Sequence, residues 1–208
     1  SLLFGAKDFG IVFDISVHAG TLAAVIYYFK KELLELIRAW MPWTQSRNKE
    51  SFLLGLNLIV ATLPIVLVGL IASDFAESRS TNIDSIAWAN LIFAGLLYAA
   101  FKSSRQSKSL AELTLFAALI IGCFQALAIF PGASRSGMAI TGALIIGLNL
   151  KDTSRFAFLL SIPTILGALV LMVVKGAYSI ALSDMLIMLT GFIGSAFIAF
   201  ITIKSFLQ

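Results

Sequence analysis

Long apolar stretches are the feature of this chain that most constrains its fold. A helix needs about 20 mostly apolar residues to cross a bilayer, and the sequence offers such stretches at residues 9–29, 52–72, 85–101, 110–130, 156–174 and 185–203. Only 12% of the 208 residues are charged, which leaves too few charges to cover a surface in water. The sequence therefore predicts an all-α, polytopic integral membrane protein.

Basic residues mark alternate connections between the apolar stretches. Residues 30–50 and 102–109 are rich in Lys and Arg, whereas residues 73–84 are mainly acidic. Because Lys and Arg collect in cytoplasmic loops, we expect the first two segments inside and the third outside. The net charge of +4 thus reports orientation. Nucleic-acid binding would need a basic stripe with interleaved aromatic residues, and the sequence has no such stripe.

Residues 30–43 carry a different pattern. Apolar side chains recur there at helical spacing, with Lys and Glu elsewhere; they are Leu33, Leu34, Ile37 and Trp40. The pattern is typical of an amphipathic helix that lies in the membrane interface. A helical extension of the first span explains it equally well.

Residues 110–150 do not fit a simple span. After Phe130 come Pro131, Gly132 and small polar residues, and then only about 12 mildly apolar residues, too few to cross. We interpret this segment as a re-entrant hairpin within a single membrane domain of residues 1–208, and we expect the domain to contain an inverted repeat. Broken helices persist at membrane depth only where the freed backbone is buried in protein or lines a polar cavity. The break is therefore a candidate site.

The loop Pro131-Gly132-Ala133-Ser134-Arg135-Ser136-Gly137 carries the chemistry of that break. Pro131 stops the helix because it lacks a backbone N–H, and the two glycines permit turn geometry and close approach of a ligand. Successive backbone amides at the start of a new helix favour an anion. Arg135 offers a planar fork matched to phosphate oxygens, and the serines add hydroxyls. The loop predicts a phosphate site.

Several residues keep two interpretations. Arg135 either binds a ligand or extends from a loop apex to the interface. Gln125 either faces the site as a substrate-binding residue or hydrogen-bonds a neighbouring helix. Asp14 and His18, one turn apart, either line a polar cavity or form a satisfied pair between helices. Cys123 is predicted to be buried.

The run Gly-Cys-Phe-Gln-Ala-Leu-Ala-Ile-Phe-Pro-Gly-Ala-Ser-Arg-Ser-Gly, residues 122–137, resembles the second signature of the bacterial undecaprenyl-diphosphatases of the bacitracin-resistance type. Segments at 13–21, 158–163 and 203–207 are similar to that family too. The resemblance implies hydrolysis of undecaprenyl pyrophosphate to the monophosphate, which recycles a lipid carrier for cell-wall synthesis. It also implies a divalent cation (Mg²⁺ or Ca²⁺), two re-entrant hairpins, a homodimer and the bacterial inner membrane.

By the same resemblance, Arg135 is expected to bind the pyrophosphate, with Ser134 and Ser136 as catalytic neighbours and Gly132, Gly137 and Gln125 on the substrate side. The family's first signature, a Glu-rich stretch followed by Pro, two Ser, Thr, Gly and His, does not occur in this sequence. We therefore expect a fragment that lacks that signature and the last span, is inactive alone, and has its metal ligands upstream. Met138-Ala139 stands where the family often has a hydroxyl.

A different class of function is compatible with the same loop. Half-helix ends at the membrane midplane also bind anions in transport proteins. The alternative is therefore a transporter or lipid flippase that uses residues 131–137 as its anion site.

Overall fold

The computed structural model describes residues 10–41, 48–71, 83–175 and 182–207. Regular structure within these ranges is helical, apart from one isolated bridge between Lys108 and Leu148. The helices in chain order are α1 (Gly10–Tyr28), α2 (Lys30–Trp40), α3 (Lys49–Ile71), α4 (Ile83–Ser103), α5 (Leu115–Ala126), α6 (Arg135–Ile146), α7 (Leu150–Lys175) and α8 (Leu182–Leu207), with 3₁₀ turns at Leu110–Glu112 and Leu127–Ile129.

Four of the described helices are long and apolar enough to cross a membrane. Their spans are Lys49–Ile71, Asp84–Ser103, Leu150–Leu171 and Met185–Leu207, and at most 39% of any of them is buried inside the protein. Helices this apolar that leave most of their surface uncovered require lipid around them. This confirms the prediction of an all-α, multi-pass membrane protein. The segment predicted outside, residues 73–84, lies largely beyond the described residues.

The chain divides into two compact units: residues 1–30 with 165–206 and 208, and residues 31–164 with Leu207. In the first unit, α1 and α8 approach closely because small residues face each other. A Cβ on Gly191 would lie 2.6 Å from the Phe13 ring and 2.9 Å from Ser16 Oγ, and one on Gly20 would overlap Ser195 and the Phe192 carbonyl. Small residues at such positions let helix backbones pack tightly in membranes.

In the second unit, α5 packs against both α3 and α6, and α6 also packs against α4. A Cβ on Gly122 of α5 would overlap the Ala61 carbonyl of α3, so the two backbones are in direct contact. Near the start of α5, Asn57 Nδ2 of α3 donates to the Leu113 carbonyl at 2.9 Å.

Cys123 is exposed, so its predicted burial was wrong. The face of α5 that packs is formed by Ala118, Ile121, Gly122, Gln125 and Ala126, and Cys123 points away from it.

Helix α2 begins after a turn at Phe29 and has two apolar faces. Leu36 and Ala39 are buried, whereas Leu34 and Ile37 are 50% and 53% exposed. Exposed apolar residues beside exposed charges favour the interfacial interpretation of this helix. Glu32 of α2 pairs with Arg155 of α7 at 2.7 Å, and Arg155 Nε lies within 3.2 Å of both carboxylate oxygens, which holds α2 to the start of α7.

Backbone hydrogen bonds tie the two ends of the hairpin together. Lys108 N donates to the Gly147 carbonyl at 3.0 Å, and Asn149 N donates to the Lys108 carbonyl at 2.9 Å. Gly147 ends α6 in the left-handed conformation, with φ 94°, which a glycine adopts without steric cost. Leu110 N donates to Asp152 Oδ2 at 2.9 Å. The base of the hairpin is therefore closed between residues 108–110 and 147–152, and its re-entrant placement in the membrane stays a prediction.

Candidate functional site

Helix α5 ends in three steps that the local sequence explains. The α-helix stops at Ala126, a 3₁₀ turn covers Leu127–Ile129, and the chain then reverses at Pro131-Gly132. Ala133 N donates to the Phe130 carbonyl at 3.0 Å, and Gly132 has φ 93°. Proline at the second position and a positive φ at the third position are the requirements of a type II turn. The break therefore has a defined geometry.

The turn rests against α4. A Cβ on Gly132 would lie 2.7 Å from the Ile86 carbonyl oxygen and 3.3 Å from Asn90 Nδ2, so glycine is needed here for space as well as for φ. Asn90 itself donates to the Ile86 carbonyl at 3.1 Å. Sequence reasoning missed this contact. The sequence signal for this contact was Asn90 itself, a single amide side chain within the uncharged stretch 85–101.

Beyond the turn, Ser134 caps the new helix α6. Its backbone is extended (φ −68°, ψ 123°), and its Oγ accepts a hydrogen bond from Gly137 N at 3.2 Å, as an N-cap serine does. Ser136 Oγ lies 3.2 Å from Ser134 Oγ, and both side chains are exposed. The amides of Arg135 and Ser136, in the first turn of α6, have no acceptor among the described residues, which leaves two donors for a ligand.

Arg135 is the first residue of α6, and its side chain is partly exposed. Across residues 10–41, 48–71, 83–175 and 182–207, the only ion pair is the one between Arg155 and Glu32, so no described carboxylate neutralises Arg135. An unpaired guanidinium beside two free amides attracts an anion strongly where water is scarce. Arg135, Ser134, Ser136, Gly132 and Gly137 thus lie in one loop, and their catalytic and substrate-binding roles stay predictions.

Gln125 lies deeper than these residues. It is only 2% exposed, and its Nε2 has no acceptor within the described part of the chain. Gly142 of α6 packs against Phe124 and Ile121 of α5. Gln125 is the next residue of α5, one position closer to the break. Its role in substrate binding stays a prediction.

Met138 and Ala139 are each 1% exposed, so a hydroxyl at either position would be buried.

Asp14 and His18 belong to the first unit, whereas the loop belongs to the second. His18 Nδ1 lies 2.7 Å from the main-chain carbonyl oxygen of Asp14 and donates to it. The imidazole is therefore held by its own helix rather than by the Asp14 carboxylate, which is exposed.

A divalent cation would need several oxygen or nitrogen ligands at one place. Among the described residues, no three His, Cys, Asp or Glu side chains come together in this way. These residues do not fit a cation site, so the chemistry of the loop itself is anion binding by one guanidinium, two free amides and two hydroxyls.

Comparisons with known proteins agree on one family. The family model described as bacitracin resistance protein BacA matches residues 1–208. Three similar proteins are named undecaprenyl-diphosphatase. The first, from Saccharophagus degradans, is 45% identical over 78% of this chain and 62% of its own length. Those from Teredinibacter turnerae and Alcanivorax borkumensis are 41% and 39% identical, over 99% and 100% of this chain and 78% and 79% of their own lengths. The chain thus matches only part of each relative.

Proposed function

The chain belongs to the bacitracin resistance protein BacA family, and on that premise we propose that it takes part in the hydrolysis of undecaprenyl pyrophosphate to undecaprenyl phosphate. The names of its relatives support this reaction. The observation that carries the proposal is Arg135, without a described counter-ion, next to the free amides that begin α6. A lipid pyrophosphate is an anion anchored in the bilayer, and we expect this loop, between two short apolar helices, to lie at membrane depth.

Each group in the loop has a place in the reaction. Phosphoryl transfer spreads negative charge over the oxygens of the transferred group, so catalysis depends on positioning and charge stabilisation. The Arg135 fork binds two of these oxygens, and the Arg135 and Ser136 amides bind a third. Ser134 Oγ already accepts from Gly137 N, so its hydrogen is available to Ser136 Oγ or to the substrate.

The reaction is expected to depend on Mg²⁺ or Ca²⁺, which we include in the proposal. A bound divalent cation would supply further neutralisation of the pyrophosphate. Activity is measured on the full-length gene product, because the chain alone is expected to be inactive. Treatment of that purified product with EDTA should abolish phosphate release, and either cation should restore it. Equal rates before and after chelation would remove the cation from the proposal and leave the anion loop as its basis.

The test of the reaction is phosphate release from a polyprenyl pyrophosphate. We expect Arg135→Ala to lower kcat by a factor on the order of 100, the usual loss when one transition-state donor is removed. Arg38→Ala, at an exposed arginine of α2, is the matched control and should retain the rate. The chain and the full-length gene product should be assayed side by side.

Two outcomes would contradict the proposal. If the full-length product binds the lipid but releases no phosphate under any cation, the loop is an anion site of a carrier. If Arg135→Ala and Arg38→Ala reduce the rate equally, Arg135 acts only through general charge.

The proposal extends to location and assembly. We place the protein in the bacterial inner membrane, as a homodimer. Membrane fractionation of the host and the mass of the purified protein in nanodiscs test these two points separately.

A further inference from the structure

Four basic residues lie on the two chain segments that meet at the closed base of the hairpin. They are Lys102, Arg105, Lys108 and Lys151, which we call the basal cluster, and all four are exposed. Backbone hydrogen bonds hold Lys108 against Gly147 and Asn149 at 3.0 and 2.9 Å, and Lys151 follows Asn149 by two residues. The bonds that close the hairpin therefore also bring together charges that are far apart in the sequence.

The carboxylates around the hairpin base are already engaged. Asp152 Oδ2 accepts from Leu110 N and from Asn149 Nδ2, both at 2.9 Å. Glu112 Oε2 accepts from Ser109 N at 2.7 Å and from Ser109 Oγ at 2.9 Å. Within the described ranges, Arg155 is the one basic residue with an ion pair. No described carboxylate lies within ion-pair distance of the basal cluster. Glu112 acts on Lys108 only at longer range, and four cations against these two carboxylates leave a net positive charge.

The cluster lies where two apolar spans end. Lys102 is near the end of the span Asp84–Ser103, and Lys151 is near the start of the span Leu150–Leu171. Each lysine is next to an exposed apolar side chain, Phe101 at 43% and Leu150 at 42%. Exposed apolar groups directly beside exposed cations match the boundary between acyl chains and headgroups.

We propose that the basal cluster binds the phosphate groups of anionic phospholipids in the adjacent leaflet, an interaction separate from the proposed hydrolysis at Arg135. Lysine is a flexible point charge, which suits mobile headgroups better than a fixed small ligand. Each basic side chain near an anionic leaflet adds to the attraction. The phosphate groups of the lipid neutralise the positive charge of the basal cluster that Asp152 and Glu112 do not offset.

The experiment is a titration of the purified full chain in mild detergent with phosphatidylglycerol or phosphatidylcholine, with bound lipid counted by native mass spectrometry. We expect affinity for phosphatidylglycerol to be about tenfold higher, and the double variant Lys108→Gln/Lys151→Gln to lose about that factor. Lys108→Arg/Lys151→Arg should keep it. Circular dichroism confirms folding, and Lys108 contributes to the hairpin base through its main chain, which glutamine retains.

A second double variant, Lys49→Gln/Lys204→Gln, removes the same charge at exposed positions outside the cluster and should bind phosphatidylglycerol as the unaltered protein does. Equal loss in this variant would show attraction by net charge alone and overturn the proposal. Equal affinity of the unaltered protein for the two lipids would also overturn it. So would displacement of phosphatidylglycerol by an equal concentration of inorganic phosphate, which would indicate a site for the free ion.

Discussion

At Gly132 the backbone has φ 93°, and the space of a Cβ is already occupied by the Ile86 carbonyl oxygen. Gly132→Ala should therefore displace the loop from α4 and move Arg135 away from its present position. We expect phosphate release to fall by at least about tenfold, since a small misplacement of a catalytic group is costly. The assay is the same lipid pyrophosphate hydrolysis.

Gly95 provides the matched control for Gly132. It lies on the same helix α4, and a Cβ there would meet nothing within 4 Å. Gly95→Ala should leave hydrolysis unchanged and slightly raise Tm, because alanine is the better helix former. Full activity in Gly132→Ala would show that the type II turn does not position the site.

The residues of the loop were predictable because short-range rules determine them. Proline and glycine dictate the turn, and a serine before a helix dictates the cap, so Pro131, Gly132 and Ser134 needed no tertiary information. The position of Asn90 was not predictable in this way, because its closeness to Gly132 joins residues that are far apart in the sequence. The orphaned Nε2 of Gln125 likewise depends on which face of α5 is buried.

At the scale of elements, the contact between α3 and α5 depends on Gly122. Gly122→Ala places a methyl group against the Ala61 main chain, which cannot move without shifting α3. Such overpacking costs about 1–3 kcal/mol. A lower Tm of the purified protein in detergent, relative to the unaltered chain, checks the prediction.

Gly69→Ala is the comparison for that substitution, since a Cβ on Gly69 of α3 would meet nothing within 4 Å. Its Tm should stay the same or rise. A Gly122→Ala protein as stable as Gly69→Ala would mean that α3 and α5 separate easily.

The turn before α5 is predicted to depend on pH. The hydrogen bond from the Ser109 backbone, and then the one from its hydroxyl, hold the pKa of Glu112 below its usual value. A lowered pKa in the folded state stabilises the protein above the unfolded-state pKa, about 4.3, and this contribution is lost as pH falls through the folded-state value.

The variant Glu112→Gln distinguishes the pH effect of Glu112 from that of the other carboxylates. Glutamine can keep the bond to the Ser109 backbone but does not titrate. The difference in Tm between the unaltered protein and Glu112→Gln should therefore be constant near neutral pH and shrink below about pH 4. Tm curves that stay parallel over the whole range would exclude the effect.

An apolar run in the sequence does not by itself specify where a helix begins and ends. Residues 110–130 form one nearly continuous apolar run, yet the α-helix occupies only Leu115–Ala126. Glu112 closes a turn with Ser109, and Thr114 caps α5 by accepting from Ala117 N at 3.2 Å. Polar side chains at the edge of an apolar run thus set its helical boundaries. The exposed Cys123 follows from the packing of α5, which composition does not specify.

At the scale of the whole molecule, the predicted orientation can be tested across one span. Helix α4 connects Ser85 to the segment that contains Ser107, and both serines are exposed. In a Cys123→Ala background, Ser107→Cys should react with a charged maleimide only from the cytoplasmic side, and Ser85→Cys only from the outside. Reaction of both cysteines from one side would contradict α4 as a span.

The class of the molecule followed from the sequence because charge is scarce throughout, and scarcity of charge is a property of the whole chain. The closure of the hairpin base did not follow, since it depends on backbone groups of Lys108, Gly147 and Asn149, which no side-chain pattern reports. The pairing of Glu32 with Arg155 was hidden for a related reason. The two residues are 123 positions apart, and no local pattern reports such a contact.

The closure between Lys108 and Gly147 also bears on how the chain enters the bilayer during synthesis. Helices α5 and α6 have 12 residues each, about 18 Å of length against a hydrocarbon core of about 30 Å. Neither can leave the insertion machinery as a span of its own. We therefore expect both to partition into lipid together, once the ribosome has added Asn149 and the closing bonds can form. On this expectation, local folding of the segment precedes its membrane integration.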